Sequence, residues 1–260
     1  LMQSIIKKGI TGYQLKIIGI ICMVFDHVHQ MFYAHGVPIW FNMIGRIVAP
    51  IFLFMSVEGY THTRNVKKYL IRLLLGFYLM AIGNIVIQQI FPIDNVTLMN
   101  NIFGTIFLGV FYLYIGDTIK KSIAEGNKLR IFCYTILGII PIILGPIEFS
   151  AINHGNILLF YIANFIFPNL MTTEGSFLFV ILTIALYLTR KNKYLQLSMI
   201  AILSAIVFIQ NGFGGIQWMM VFSIIPISLY NGEKGRSMRS FFDWFYPIHI
   251  YLLYILAYFI

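Results

Sequence analysis

The stretch 15–34, LKIIGIICMVFDHVHQMFYA, decides the fold. As a helix its length matches the roughly 30 Å hydrocarbon core of a bilayer. Up to Phe25 it carries one charge, Lys16, next to its start. Similar apolar runs follow at 39–60, 69–91, 101–116, 131–147, 156–169, 174–189, 195–210, 216–230 and 240–260. The whole chain of 260 residues is 59% hydrophobic and only 10% charged, where a soluble domain carries roughly 25% charged residues. That excludes a water-soluble core and a disordered chain alike. The expectation is an all-α, polytopic transmembrane helix bundle with nine to ten hydrophobic segments, forming a single membrane domain over 1–260, with the lipid bilayer as its first partner.

The net charge of +9 could suggest nucleic acid, but the basic residues are dispersed between apolar runs rather than gathered on one binding face. They read as cytoplasmic loops that follow the positive-inside rule. Lys7, Lys8 and Lys16 precede or open the first run. Arg64, Lys67, Lys68 and Arg72 follow the second. Lys120, Lys121, Lys128 and Arg130 follow the fourth, Arg190, Lys191 and Lys193 the seventh, and Lys234, Arg236 and Arg239 precede the last. Ten alternating spans would put the Arg190 cluster on the wrong side. If 156–169, interrupted by Asn164 and Pro168, enters and leaves by the outer face, all clusters share one face. Nine full crossings plus one re-entrant or interfacial segment, a cytoplasmic N-terminus and an outer C-terminus are therefore expected. Leu1 ahead of Met2 reads as foreign to the natural start. The first run, with Asp26, His27 and His29 in its continuation, reads as a retained helix rather than a cleaved signal. Cys22 and Cys133 lie far apart in apolar runs and suggest neither a disulfide nor a metal site.

Ionisable residues inside membrane helices are costly and mark function by default. Here they are Asp26, His27 and His29 in the first run, Arg46 and Glu58 in the second, and His249 in the last. At 1.5 Å per residue, Asp26 and His27 lie about 17 Å from the cytoplasmic start of their helix. Arg46 lies about 10 Å from the outer start of the next, and His249 about 14 Å up the last. All fall in one layer. Asp26 and His27 point about 100° apart and cannot share one partner. Arg46 cannot shed its proton, so it needs an anion: Asp26, or a substrate carbonyl or phosphate. The basic loop with His62, Arg64, Lys67, Lys68 and Arg72 is a solvated face whose density also suits phosphate. The chain has no P-loop and no zinc-binding helix motif, and no metal is expected.

At these residues the sequence resembles the TraX family of conjugal-transfer pilin acetylases. The matching stretches are LKIIGIICMVFDHVH (15–29), IGRIVAPIFLFMSVEGYTHTRNVKKYLIRL (44–73), SLYNGEKG (228–235) and FFDWFYPIHIYLLY (241–254). Glu174-Gly175 resembles the family's acidic-plus-glycine position. The resemblance implies an acyltransferase. Acetyl-CoA or another acyl-CoA would be the cytoplasmic donor, and an exported or membrane-associated peptide, lipid or glycan the acceptor. It implies His27 as base, Asp26, Glu58 or Glu174 to orient the base or pair with Arg46, Arg46 as oxyanion donor and His249 as a further candidate. Donor phosphates would meet His62, Arg64, Lys67, Lys68 and Arg72. The competing reading is a proton-coupled transporter or flippase using Asp26, His27, Arg46 and His249 as a relay.

Overall fold

The computed structural model describes residues 9–237 and 239–260, with the side chain of Arg239 left aside. Leu1, Lys7 and Lys8 lie outside the described residues. The apolar runs are all helical, and no strand occurs among the described residues; an isolated bridge joins Ile10 and Tyr230. In chain order the helices are α1 (Gly12–Phe32), α2 (Trp40–Gly45), α3 (Val48–His62), α4 (Val66–Ile90), α5 (Ile102–Ala124) and α6 (Lys128–Asn153). Then come α7 (Ile157–Ile166), α8 (Ser176–Leu188), α9 (Lys193–Asn211), α10 (Ile224–Ser228) and α11 (Arg239–Tyr258), with a 3-10 stretch, Gln217–Ser223, leading into α10.

Among the described residues, six segments are long and apolar enough to cross a membrane: Gly12–His35, Trp40–His62, Val66–Ile90, Ile102–Ala124, Lys128–Asn153 and Lys193–Gly214. Hydropathy alone leads to nine to ten segments, whereas six qualify as candidate spans among the described residues. The reason lies in the breaks. Helix α7 has 10 residues and α8 has 13, about 15 and 20 Å at the helical rise. The run at 216–230 is a 3-10 stretch passing into the 5-residue α10. Hydropathy counts apolar residues whether or not the backbone hydrogen-bond ladder is continuous. Helix α11 has 20 residues but carries Asp243, Pro247 and His249 inside it.

The chain divides into two compact units. The first comprises Leu1–Met55, Gly83–Met99 and Leu188–Ile260. Its α1 starts at a capping box: Thr11 Oγ1 accepts from Gln14 N, and the Gln14 side chain accepts from Thr11 N at 2.8 Å. That satisfies two of the donors a helix N-terminus leaves open. Two more, on Gly12 and Tyr13, go to the carbonyls of Glu233 and Lys234, so the SLYNGEKG loop closes the helix end. Along α1, Leu15, Gly19, Ile20, Met23, His27 and Met31 form the buried stripe, at the three- and four-residue spacing of one helix face. Helix α1 packs against α2 and α11.

The second unit comprises Ser56–Ile82 and Asn100–Tyr187. Helix α5 is its centre, with Thr105, Leu108 and Val110 fully buried. Helices α6 and α7 form a hairpin. After α7 the chain turns extended at Phe167, and residues 167–175 are non-helical, with Pro168, Asn169 and Thr173 buried. Irregular backbone at membrane depth is tolerated only inside protein or along a cavity; here Pro168, Asn169 and Thr173 are buried, while Met171, Thr172, Glu174 and Gly175 are exposed.

Candidate active site

The first unit brings four of the six expected catalytic residues together. Asp26 and His27 leave α1 in different directions and meet different partners, as their 100° separation requires. Asp26 Oδ1 accepts from Arg46 Nη2 at 2.5 Å and from Asn42 Nδ2 at 3.0 Å. Arg46 sits where the second span breaks between α2 and α3. Its Nε donates to the Asn42 carbonyl at 3.1 Å and its Nη1 to Gln217 Oε1 at 3.0 Å. These bonds engage three of the five N–H groups of a guanidinium. The pair is not sealed: the side chains of Arg46 and Asp26 are 23% and 19% exposed. Gly45 makes the approach possible. A Cβ there would lie 2.4 Å from three atoms of Asp26, so only glycine lets α2 come this close.

His27 faces inward and is 3% exposed. Its Nδ1 lies 2.7 Å from His249 Nε2, with the rings stacked at 4.9 Å. His249 Nδ1 in turn lies 2.7 Å from the Phe245 carbonyl. Carbonyl oxygens only accept, so His249 Nδ1 carries a proton. In a neutral pair His249 Nε2 is then the acceptor and His27 Nδ1 the donor. That logic leaves the basic lone pair of the dyad on His27 Nε2. Phe245 stacks on His249 at 4.7 Å, and Tyr246 meets His27 edge-on at 6.1 Å. The Tyr-Pro-x-His stretch of α11 therefore fixes both the position and the tautomer of His27.

The remaining expected residues belong to the second unit. The Glu58 carbonyl accepts from Thr61 Oγ1 and lies 2.9 Å from His62 Nδ1; its carboxylate lies 4.0 Å from the exposed His62 ring. Glu174 is exposed at the end of 167–175, and its carbonyl accepts from Thr105 Oγ1 at 2.6 Å. Arg64, Lys67 and Lys68 are exposed, while Arg72 is half-buried and lies over the Tyr69 ring at 5.1 Å. Among the described residues, no three His, Cys, Asp or Glu side chains gather as a metal site would require.

Sequence reasoning passes over several participants. Asn42 and Gln217 are neutral amides that no charge count reveals, although a glutamine near the start of an apolar run is itself a signal. Glu148 is the larger omission. It is 1% exposed in α6 and accepts from Asn164 Nδ2 at 2.8 Å, Asn169 Nδ2 at 2.5 Å and Thr172 Oγ1 at 3.1 Å. The hydropathic run ends at 147, so Glu148 reads as a loop residue, whereas α6 continues to Asn153.

The model of the family described as "TraX protein" matches residues 11–257. The chain belongs to the TraX family. This TraX-family chain is 25% identical over 266 residues to the probable fimbrial assembly protein FimC, serogroup H1, of Dichelobacter nodosus, covering 94% of each. It is also 28% identical over 158 residues to an uncharacterized protein of Rickettsia prowazekii (strain Madrid E), covering 60% of this chain and 55% of that one. No solved structure matches. The first-helix Asp-His, the Gly-Arg pair of the second span and the late Tyr-Pro-x-His, which resemble the TraX family in sequence, are the elements that converge in the first unit.

Proposed function

We propose that this TraX-family protein is an integral membrane acyltransferase of the bacterial cytoplasmic membrane. It would move an acetyl or other short acyl group from acyl-CoA to an amine or hydroxyl of an exported or membrane-associated acceptor. The observation that carries the reading is the buried His27–His249 dyad in the same unit as a partly accessible Arg46. Acyl transfer needs a base for the attacking group and a donor for the oxyanion, and these are the groups present. A relative named as a fimbrial assembly protein fits an exported peptide acceptor.

In this mechanism the acceptor's amine or hydroxyl attacks the thioester carbonyl. His27 Nε2 takes its proton, and the new C–N or C–O bond forms. The hydrogen bond through His249 to the Phe245 carbonyl supports the imidazolium that results. Arg46, oriented by Asp26, Asn42 and Gln217, meets the negative charge developing on the carbonyl oxygen. The intermediate collapses by breaking C–S, and His27 returns its proton to the departing coenzyme A sulfur. Arg64, Lys67 and Lys68 supply exposed cationic groups suited to the donor's phosphates, with His62 and Arg72 beside them in sequence.

The decisive experiment incubates purified protein with radiolabelled acetyl-CoA, alone and with amine or alcohol acceptors. Acetyl transfer or slow thioester hydrolysis that is lost in His27→Ala supports the reading. Proton uptake into vesicles that requires His27, with neither binding nor turnover of acetyl-CoA, overturns it for the transporter.

A further inference from the structure

The 3-10 stretch Gln217–Ser223 of the first unit has one buried face. A 3-10 helix turns every three residues, so side chains at i and i+3 eclipse, and Gln217, Met220 and Ser223 stand in one column. Gln217 Nε2 lies 3.8 Å from Met220 Sδ, as that register requires. One end of the column is tied to the candidate site, because Gln217 Oε1 accepts from Arg46 Nη1 at 3.0 Å. Met220 and Ser223 are both 0% exposed. With 7 residues the stretch is long for its type, whose runs rarely exceed about three or four.

Ser223 Oγ is buried with no hydrogen-bond partner among the described residues. Other serines of this chain behave differently. Ser122, Ser198 and Ser204 each donate to the carbonyl four residues earlier, and Ser228 to the one three earlier, at 2.7 to 2.9 Å. A helical serine commonly spends its hydroxyl in this way, and a buried polar group left without a partner calls for an explanation.

Two paths give its depth. Along α10, Ser223 lies about 9 Å from Leu229, whose carbonyl accepts from Ile10 N just ahead of α1. Gln217 lies about 12 Å further on at the 3-10 rise. On α1, Asp26 lies about 21 Å from Gly12, level with Gln217, as their shared partner Arg46 demands. Ser223 is therefore about 12 Å from the Arg46 layer, on the side of the Lys234 loop. By the positive-inside rule that side is cytoplasmic, the side from which an acyl-CoA would come.

We infer that Ser223 is a binding residue for the acyl donor, hydrogen-bonding an amide of the pantetheine arm while the thioester carbonyl meets Arg46. The inference rests on the acyl-transfer reading. Along the arm a carbonyl, methylenes and an amide follow one another. Along the column stand the group that holds Arg46, an adaptable thioether and a hydroxyl able both to donate and to accept. The 3-10 stretch packs against α2 and α9, so the arm is admitted when the stretch parts from them. Its hydrogen-bond geometry is poorer than that of an α-helix, which eases that movement. A bond so far from the reacting carbon positions the thioester and takes no part in the chemical step.

The test uses the full-length protein in detergent and reads thiol release from two thioesters, with and without an added amine. S-acetylpantetheine carries the amides, and S-acetyl-2-mercaptoethanol lacks them. Ser223→Ala should lower the preference for S-acetylpantetheine, as a ratio of kcat/KM values, roughly three- to tenfold, the net worth of one hydrogen bond. The change should lie in KM rather than in kcat, because remote contacts bind ground state and transition state alike. The thermal midpoint of Ser223→Ala without donor should not fall, since no internal partner is lost. An unchanged preference in an active Ser223→Ala protein overturns the inference and leaves acyl transfer standing. A variant that melts well below the wild type, or fails to fold, marks a hydroxyl needed inside the protein and overturns it too. A wild type that neither binds nor cleaves acetyl-CoA and S-acetylpantetheine removes the acyl-transfer reading, and the inference with it.

Discussion

At the scale of single residues, the dyad and the Arg46 cluster divide the chemistry, and substitutions should separate them. His27→Ala removes the proposed base, and transfer should fall roughly 10²- to 10⁴-fold, the usual contribution of a positioned general base. His249 acts through His27, so His249→Ala should cost less. The double variant should be no worse than His27→Ala alone, because groups acting as a unit are not additive. Steady-state kinetics with acetyl-CoA and one acceptor read all three; a double variant much slower than either single one would place His249 in a separate role. Gly45→Ala tests the second cluster. Its new Cβ would overlap Asp26, and such overpacking costs about 1–3 kcal/mol. The thermal midpoint in detergent should drop and kcat should fall with it, since Arg46 loses its orientation. Asp26→Asn leaves the geometry but removes the counter-charge. With both side chains about one-fifth exposed, its cost should lie below the roughly 3–5 kcal/mol of a fully buried broken pair.

Among the elements, the segment 167–175 is the piece whose form follows least obviously from hydropathy. It is clamped from two helices. Glu148 of α6 binds Asn169 and Thr172, and Thr105 of α5 binds the Glu174 carbonyl. Leu170 N also donates to the Pro141 carbonyl at 3.3 Å. These bonds satisfy polar backbone and a carboxylate that the bilayer would otherwise penalise. Removing the Asn169 side chain deprives a buried anion of a donor, so Asn169→Ala should destabilise the protein by about 1–3 kcal/mol or more. Labelling at the two ends of α7 and this segment tests the crossing count. Asn153 and Met171 are both exposed, and Asn153→Cys and Met171→Cys, in a Cys133→Ser background, should both react with an impermeant maleimide from outside if α7 enters and returns. Reaction of Met171→Cys from the cytoplasm alone would make 156–169 a crossing.

Taken as a whole molecule, the long helices and the polar layer of the first unit were legible in the sequence, because each rests on a local rule. Length and hydropathy define α1, α4, α5, α6 and α9, and depth arithmetic on antiparallel neighbours places Asp26 beside Arg46. Single-residue polarity inside an apolar run singled out His249. What was not legible depends on partners far away in sequence. Nothing local says that His249 Nε2 will face His27 Nδ1, that Gln217 will reach Arg46, or that Glu148 lies inside a helix. Breaks within apolar runs were equally hidden, since hydropathy does not register a 3-10 stretch or an extended residue such as Phe167. The distribution of charge is the remaining global feature, and it is open to direct test. The four clusters that contain Lys67, Lys121, Lys191 and Lys234 should all face the cytoplasm, because translocating several Lys or Arg residues in short loops is disfavoured. Lys67→Cys, Lys121→Cys, Lys191→Cys and Lys234→Cys should each resist an impermeant reagent in intact cells and react after lysis. One cluster labelled from outside would break the single-face arrangement. The 64–68 cluster has a further test that topology alone does not satisfy. Joint Arg64→Ala, Lys67→Ala and Lys68→Ala replacement should raise KM for the acyl donor more than it lowers kcat. Contacts to phosphates remote from the reacting carbon bind ground state and transition state alike, so they contribute to affinity rather than to the chemical step. An unchanged donor KM would reduce the loop to a topology signal and move the phosphate site elsewhere on the cytoplasmic face.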